Sequence, residues 1–262
     1  MPLPPHAFTI TGGCNCGAIR YRIAIPPLEE RPPSYAGGPN PNLADPQTVR
    51  LPHTAACHCN DCRSATGNTT MEFLAVPAPY MTVSALPRSE SEDSDPSRGI
   101  TGRIFDRPLT ESEAQAPDAD RPAYIPARDV LRPAIPGSRD TWLRFFHSYM
   151  CDPDVASRAF CARCGCQVGM HFLPRPEYFG GDEVFCQPDG WEGVVDVPLG
   201  TIDRHWLDRE DWFAIDHELT WKEALQWCKR DSVRGRAQST RRHPDGAVAV
   251  TVAEADLLAP AK

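Results

Sequence analysis

Between Phe8 and Ile25 apolar and polar positions alternate: Phe8 and Ile10, then Ile19, Tyr21, Ile23 and Ile25, on either side of a glycine-bearing stretch from Gly12 to Gly17. Period-two alternation turns one side of an extended chain toward a core, so this segment predicts two short strands joined by a turn that carries Cys14 and Cys16. A second segment, Leu51 to Val76, predicts a strand entering Ala-Cys-His-Cys, a Cys59-Asn-Asp-Cys62 turn that opens a short helix, and an apolar strand over MEFLAV. A third begins at Trp142 with the aromatic, strand-like TWLRFFHSYM and continues into RAFCARCGCQVGMHF, where cysteines again sit between strand-like flanks. WEGVVDVPLGTID then predicts a strand and a turn, and Asp216 to Cys228 reads as a short amphipathic C-terminal helix.

Two stretches interrupt this pattern. Residues from about 28 to 50 and from about 85 to 135 have no periodicity and hold many of the 28 prolines, which outnumber the 18 glycines. They read as surface insertions with little regular structure, with one weak strand near Arg103–Phe105. The chain of 262 residues is therefore expected to be one mainly β domain over residues 6–230, followed by a flexible tail over 231–262.

A net charge of −8 argues against nucleic acid, because a phosphate-binding surface needs concentrated lysine and arginine. The one basic cluster, Arg234 to Arg242, has no interleaved aromatic residues and reads as a solvated tail. No run approaches the roughly 18 apolar residues that span a bilayer, and no charged-then-apolar secretory pattern opens the sequence. The expectation is a cytoplasmic protein that contacts neither membrane nor nucleic acid.

In a reducing compartment an odd count of 11 cysteines points to metal or thiol chemistry rather than disulfides. Seven fall into tight groups: Cys14-x-Cys16, Cys57-x-Cys59-x-x-Cys62 and Cys161-x-x-Cys164. Such spacings let thiolates from one turn reach a single tetrahedral zinc. A closed site uses four ligands, and the two-cysteine knuckles at 14/16 and 161/164 are natural partners for it. The group at 57, 59 and 62 is then left with three ligands and one open position. Cys166 is available as an eighth ligand that would close this second site. Cys151, Cys186 and Cys228 read as small apolar core residues. His58, between two ligands, points away from them on an extended chain and reads as a hydrogen-bonded scaffold residue or, less simply, a ligand.

The segments GGCNCGAIRY, ACHCNDCRSATGN and RAFCARCGC, with the later Gly200–Asp203 turn, resemble the glutathione-dependent formaldehyde-activating family, also called the centromere protein V family. The resemblance covers about half the chain. It implies a β-tent-like fold of small antiparallel sheets around zinc. It also implies two zinc ions, with Cys14, Cys16, Cys161 and Cys164 matching the structural ligands and Cys57, Cys59 and Cys62 the catalytic ones. Cys166 departs from the family pattern, which more often has a small hydroxyl residue there.

Zinc on three thiolates is a poor activator of water and favours a fourth sulfur, whose thiol it deprotonates. Glutathione is the abundant cytosolic thiol, and the implied activity is that of a carbon–sulfur lyase: its addition to, or release from, an electrophile such as formaldehyde or a larger metabolite. Arg63 and Asn68, beside the three cysteines, are candidates for glutathione carboxylates or amides. A structural role for Arg63 is an equal reading, and Arg158 reads as a partner for a neighbouring carboxylate. The alternative is a non-catalytic, zinc-stapled module that holds glutathione or a partner.

Overall fold

A computed structural model describes residues 3–34, 49–88, 112, 121–132, 136–147, 156–172, 193–209, 212–235 and 241–242. In chain order the strands are β1 (Phe8–Gly13), β2 (Ile19–Ile25), β3 (His53–Cys57), β4 (Met71–Pro77), β5 (Met81–Ala85) and β6 (Ile125–Pro126). They continue with β7 (Leu143–Phe146), β8 (Ala156–Cys161), β9 (Gln167–Phe172), β10 (Val194–Pro198), β11 (His217–Leu219) and β12 (Arg241–Arg242). Among the described residues the short helices include α1 (Asn60–Thr66), α2 (Arg204–Leu207) and α3 (Gln226–Gly235).

The protein is mainly β, built from two sheets. One has four strands in the order β1-β2-β5-β6, all antiparallel. The other has eight, in the order β12-β11-β3-β4-β10-β9-β8-β7, antiparallel except where β11 runs parallel to both β3 and β12. Alternation along the central strands splits the larger sheet into two faces. Leu74 and Val76 of β4, with Val195 and Val197 of β10, turn toward the core shared with the smaller sheet, where Ile10, Ile19 and Ile23 are fully buried. Phe73 and Ala75 of β4, with Ala55 and Leu219, turn the other way and form a second, smaller cluster.

The two-strand reading of residues 8–25, the strand–helix–strand reading of 51–76 and the strands at 143–146, 156–172 and 194–198 match the structure. Four expectations need correction. The second insertion is not loop throughout. Within it β6 and the following turn pack Ala127, Val130 and Leu131 into the main core. Arg121 secures this return by donating to the carbonyls of Gly17 and Ser84. In the first insertion the ends are buried: Arg31, 1% exposed, donates to the Pro26 and Pro4 carbonyls, and Ser34 N–H bonds the Val49 carbonyl.

The helix expected over 216–228 begins only at Gln226, because His217–Leu219 is captured as a strand by β3 and Glu218 is fully buried by that pairing. Part of the tail expected over 231–262 is ordered structure. The last helix runs to Gly235, and Arg242 is buried over the Trp221 ring at 5.3 Å. The weak strand near Arg103–Phe105, Cys151 and Cys186 lie outside the described residues. Among the described residues no helix is long and apolar enough to cross a membrane.

The smaller sheet is held to the Leu199–Thr201 turn through Gly12. A Cβ there would lie 2.2 Å from the Tyr21 hydroxyl and 2.5 Å from the Thr201 carbonyl oxygen, and Tyr21 Oη is hydrogen-bonded to Thr201 Oγ1 at 2.8 Å. Overpacking of this kind costs about 1–3 kcal/mol. Gly12→Ala is expected to lower the urea midpoint by a corresponding amount, and an unchanged midpoint would show that the contact yields without cost.

Candidate metal centres

Two turns of similar build carry the four-cysteine group. Cys14 and Cys16 lie in the turn between β1 and β2, which Gly17 closes with a left-handed φ of 74° and an N–H bond to the Cys14 carbonyl. Cys161 ends β8 and Cys164 follows in a turn that Gly165 closes in the same way, also at φ 74°. The four Sγ atoms lie within 4.8 Å of one another, with Cys14–Cys16 at 3.6 Å and Cys16–Cys161 at 3.7 Å. A tetrahedral zinc with bonds of about 2.3 Å holds its sulfurs about 3.8 Å apart, so these residues fit the ion.

The same crowding limits ionisation when only the protein is considered. The Cys161 thiol, donating to Cys14, lowers the Cys14 pKa to about 5, and Cys161 is in turn held far up by that bond. Burial pushes Cys16 up to about 11. Four thiolates can share this volume only around a cation.

The three-cysteine group is assembled locally. Cys57 ends β3, Cys59 caps α1 by accepting the Cys62 amide at 3.3 Å, and Cys62 sits in the first helical turn. Their Sγ atoms also lie within 4.8 Å of one another, with Cys57–Cys59 at 3.4 Å. Cys59 has its pKa drawn down to about 2 by the Cys57 and Cys62 thiols, then by the Cys62 amide and Arg158, while Cys57 is pushed well up by the same thiol contacts and by burial. Cys166 belongs to neither group. Its thiol is directed to the Gln167 carbonyl at 3.5 Å, and burial raises its pKa to about 11.

Alternation places the two groups on opposite faces of the larger sheet. Cys14, Cys16 and Cys161 belong to the main core, and Cys57 and Cys62 to the smaller cluster. On the smaller cluster's face Arg158, Met170, Asp196, Ala75 and His53 stand in register across five strands. Arg158 reaches from β8 to Cys62 Sγ at 3.5 Å and pairs with Asp61 of α1. It does pair with a carboxylate, as the sequence suggested, and it also donates to a thiol.

His58 points away from the three sulfurs, bonded to the fully buried Glu218 through Nε2 and to Thr70 Oγ1 at 3.4 Å through Nδ1. Ser232 donates to the other oxygen of Glu218. This is the scaffold reading of His58. Arg63 is half-buried and donates to Asn60 Oδ1 at 2.9 Å, whereas Asn68 lines a cleft of about 860 Å³. The structure thus does not bring Arg63 and Asn68 together in that cleft.

Sequence reasoning passed over Glu218, Thr220 and Asp196. Glu218 sits in a short alternating run read as helix. Thr220, next to it, occupies the left-handed region at φ 54°, which costs a β-branched residue on the order of 1–3 kcal/mol, and its hydroxyl lies 3.9 Å from Cys57 Sγ. Asp196 is buried in an apolar strand, with one carboxylate oxygen that has no partner.

The chain matches no family model and no curated protein.

Two expectations follow. Protein purified under reducing conditions should carry two zinc ions per chain by elemental analysis, and Cys14→Ser should leave it unfolded by circular dichroism, since zinc coordination contributes on the order of 10 kcal/mol. One zinc or none in folded protein would refute the paired-centre geometry. The second concerns Asp196, whose carboxyl pKa is raised well above the usual value by burial, with Arg158 opposing. A folded pKa above the unfolded one gives stability that is full below about pH 4 and is lost as pH rises toward the folded value. The stability of the native protein relative to Asp196→Asn should therefore fall as pH rises above about 4, and a difference independent of pH would remove Asp196 from this role.

Proposed function

We propose that the protein is a zinc-dependent carbon–sulfur lyase of the glutathione-dependent formaldehyde-activating type, working in the reducing cytoplasm with Cys57, Cys59 and Cys62 as its reactive centre. The observation that carries this reading is the three-sulfur group that Cys166 does not join, which leaves one position for an incoming ligand. Zinc held there would carry a net charge of about −1, take a fourth sulfur and deprotonate the glutathione thiol.

The surrounding residues suit that role. Arg158 lies against Cys62 and offsets the excess negative charge, and Asp61 holds the guanidinium in place. The Cys62 amide, bonded to Cys59, favours the thiolate form of that residue. His58 and Glu218 anchor the loop between the first two cysteines, so their spacing is held from behind. Arg63, half-buried on α1 beside Cys62, is assigned to a glutathione carboxylate.

In the proposed reaction the glutathione S–H proton leaves to solvent and the sulfur lone pair forms a bond to an electrophilic carbon. With an aldehyde the C=O π pair moves to oxygen, which takes up a proton, and the product is an S-hydroxyalkyl glutathione. The reverse sequence breaks the carbon–sulfur bond. Formaldehyde is the acceptor the resemblance implies, and a larger aldehyde would follow the same steps.

Cobalt substitution tests the reading. Glutathione should intensify the thiolate-to-cobalt charge-transfer band as another sulfur joins the site. Cys59→Ala should abolish turnover with formaldehyde, and Cys166→Ser should leave it nearly intact. An unchanged spectrum at saturating glutathione, together with unimpaired turnover in Cys59→Ala, would reject this mechanism. A spectral response without turnover would favour the non-catalytic binding module instead.

A further inference from the structure

Each of the sulfurs of Cys57, Cys59 and Cys62 meets a hydrogen-bond donor from a different part of the chain. Cys59 accepts the Cys62 amide at 3.3 Å, Cys62 meets the Arg158 guanidinium at 3.5 Å, and Cys57 lies 3.9 Å from the Thr220 hydroxyl. The first donor belongs to the start of α1 and the second to β8. The third comes from the segment that follows β11. In the four-cysteine group backbone amides do this work, from Ile19 to Cys14 and from Ala18 to Cys16.

The segment after β11 grips the loop that carries the cysteines. Leu219 stands beside Cys57 where β11 pairs with β3, and its carbonyl accepts the His58 amide at 3.1 Å. Glu218 holds the His58 ring, the Trp221 ring meets it edge-on at 5.3 Å, and Glu223 Oε2 accepts the Asn60 amide at 3.1 Å. To serve both Cys57 and Asn60 the chain turns sharply after Leu219, and a bond of 3.0 Å from the Glu223 amide to the Thr220 carbonyl closes the turn. Thr220 makes this turn at φ 54° and ψ 43°, in the left-handed region.

Glycine enters that region without steric cost, whereas a β-branched residue is strained there. The turn by itself therefore does not call for threonine. What threonine adds is a hydroxyl, and among the described residues its hydrogen-bond partner is Cys57 Sγ. Strain of this kind persists where surrounding contacts hold it, and it clusters at functional sites. A thiolate has no proton to give, so with Cys57 ionised the hydroxyl is the donor. Hydrogen bonds around a ligating sulfur tune the metal: they draw electron density from the sulfur and leave the ion a better acceptor for a further ligand.

We infer that Thr220 is a positioning residue of the three-cysteine centre: its left-handed backbone aims the hydroxyl at Cys57 Sγ, where it donates to the thiolate, fixes the direction of that ligand and tempers the electron density passed to a bound zinc. The inference rests on the reading of Cys57, Cys59 and Cys62 as a metal centre and does not depend on glutathione.

Three full-length variants, loaded with zinc or cobalt under reducing conditions, test this. Thr220→Val keeps the branched shape and removes the hydroxyl, and Thr220→Ser keeps the hydroxyl. Thr220→Gly removes the side chain but fits the turn without strain, so the fold is retained, as circular dichroism should show. Competition with a chromophoric chelator reads the more weakly held zinc, expected at the three-ligand centre. Thr220→Val and Thr220→Gly should lose about tenfold in affinity there, the usual scale for a group that supports a metal ligand, and Thr220→Ser should stay close to the native value. In the cobalt protein the thiolate-to-cobalt charge-transfer band should move to lower energy in Thr220→Val, because a thiolate without its donor gives up an electron more readily, and should stay in place in Thr220→Ser. The four-cysteine group contributes equally to these spectra and cancels in their difference. An affinity and a band position unchanged in Thr220→Val and Thr220→Gly, or a Thr220→Ser protein as impaired as Thr220→Val, would overturn the inference alone. Native protein that holds metal only at the four-cysteine group would overturn it together with the reactive-centre reading.

Discussion

Four sulfurs gathered within 4.8 Å join the turn between β1 and β2 to the turn between β8 and β9, across 145 residues of chain. The first turn belongs to the smaller sheet and the second to the larger, so this cluster ties the two sheets together at one end of the core they share. Thiolates this close repel one another, and burial makes the repulsion stronger because little solvent screens it. A divalent cation bound there would convert that repulsion into a tie between the sheets. Its contribution, on the order of 10 kcal/mol, would be comparable to the whole stability of a domain this size.

The larger sheet then separates what the two cysteine groups can do. Three members of the four-cysteine group lie in the main core, with Cys164 partly buried against it. The three-cysteine group lies on the other face, in a smaller cluster, beside Arg158 and a row of polar residues that includes Asp196 and His53. A buried arginine and a buried aspartate on one face are costly unless something uses them. Arg158 is used by Asp61 and Cys62, which explains why its charge is tolerated there.

His58 links the two faces. Its neighbours in sequence supply sulfurs on one side of the strand, while its ring meets Glu218, Thr70 and the edge of Trp221 on the other. Glu218, Ser232 and His58 form a buried polar chain in which each group satisfies the next, so a carboxylate with no exposure is accommodated. The strained Thr220 follows Glu218 directly and brings a hydroxyl toward Cys57. The parallel strand β11 thus supports the loop that carries Cys57 and Cys59.

The sequence by itself determined the local pieces: the strand pairs around the cysteine turns, the short helix opened by Cys59, and the mainly β character. Alternation, capping and the CxC and CxxC spacings act over a few residues, so they are visible without the fold. It also suggested the grouping of seven cysteines, because four and three match what one closed and one open ion require. Only the tertiary structure decided the rest. His58 and Glu218 are 160 residues apart, and Arg158 and Cys62 are 96 apart. The capture of His217–Leu219 by β3 turned an apparent helix into a strand, since a paired edge satisfies more backbone groups than a first helical turn would. The return of Ile125–Leu131 to the core was hidden by the proline-rich stretch before it, and the placement of Cys166 outside both groups depended on how the turn after Cys164 packs. These outcomes are set by contacts between distant segments, and no local pattern encodes them.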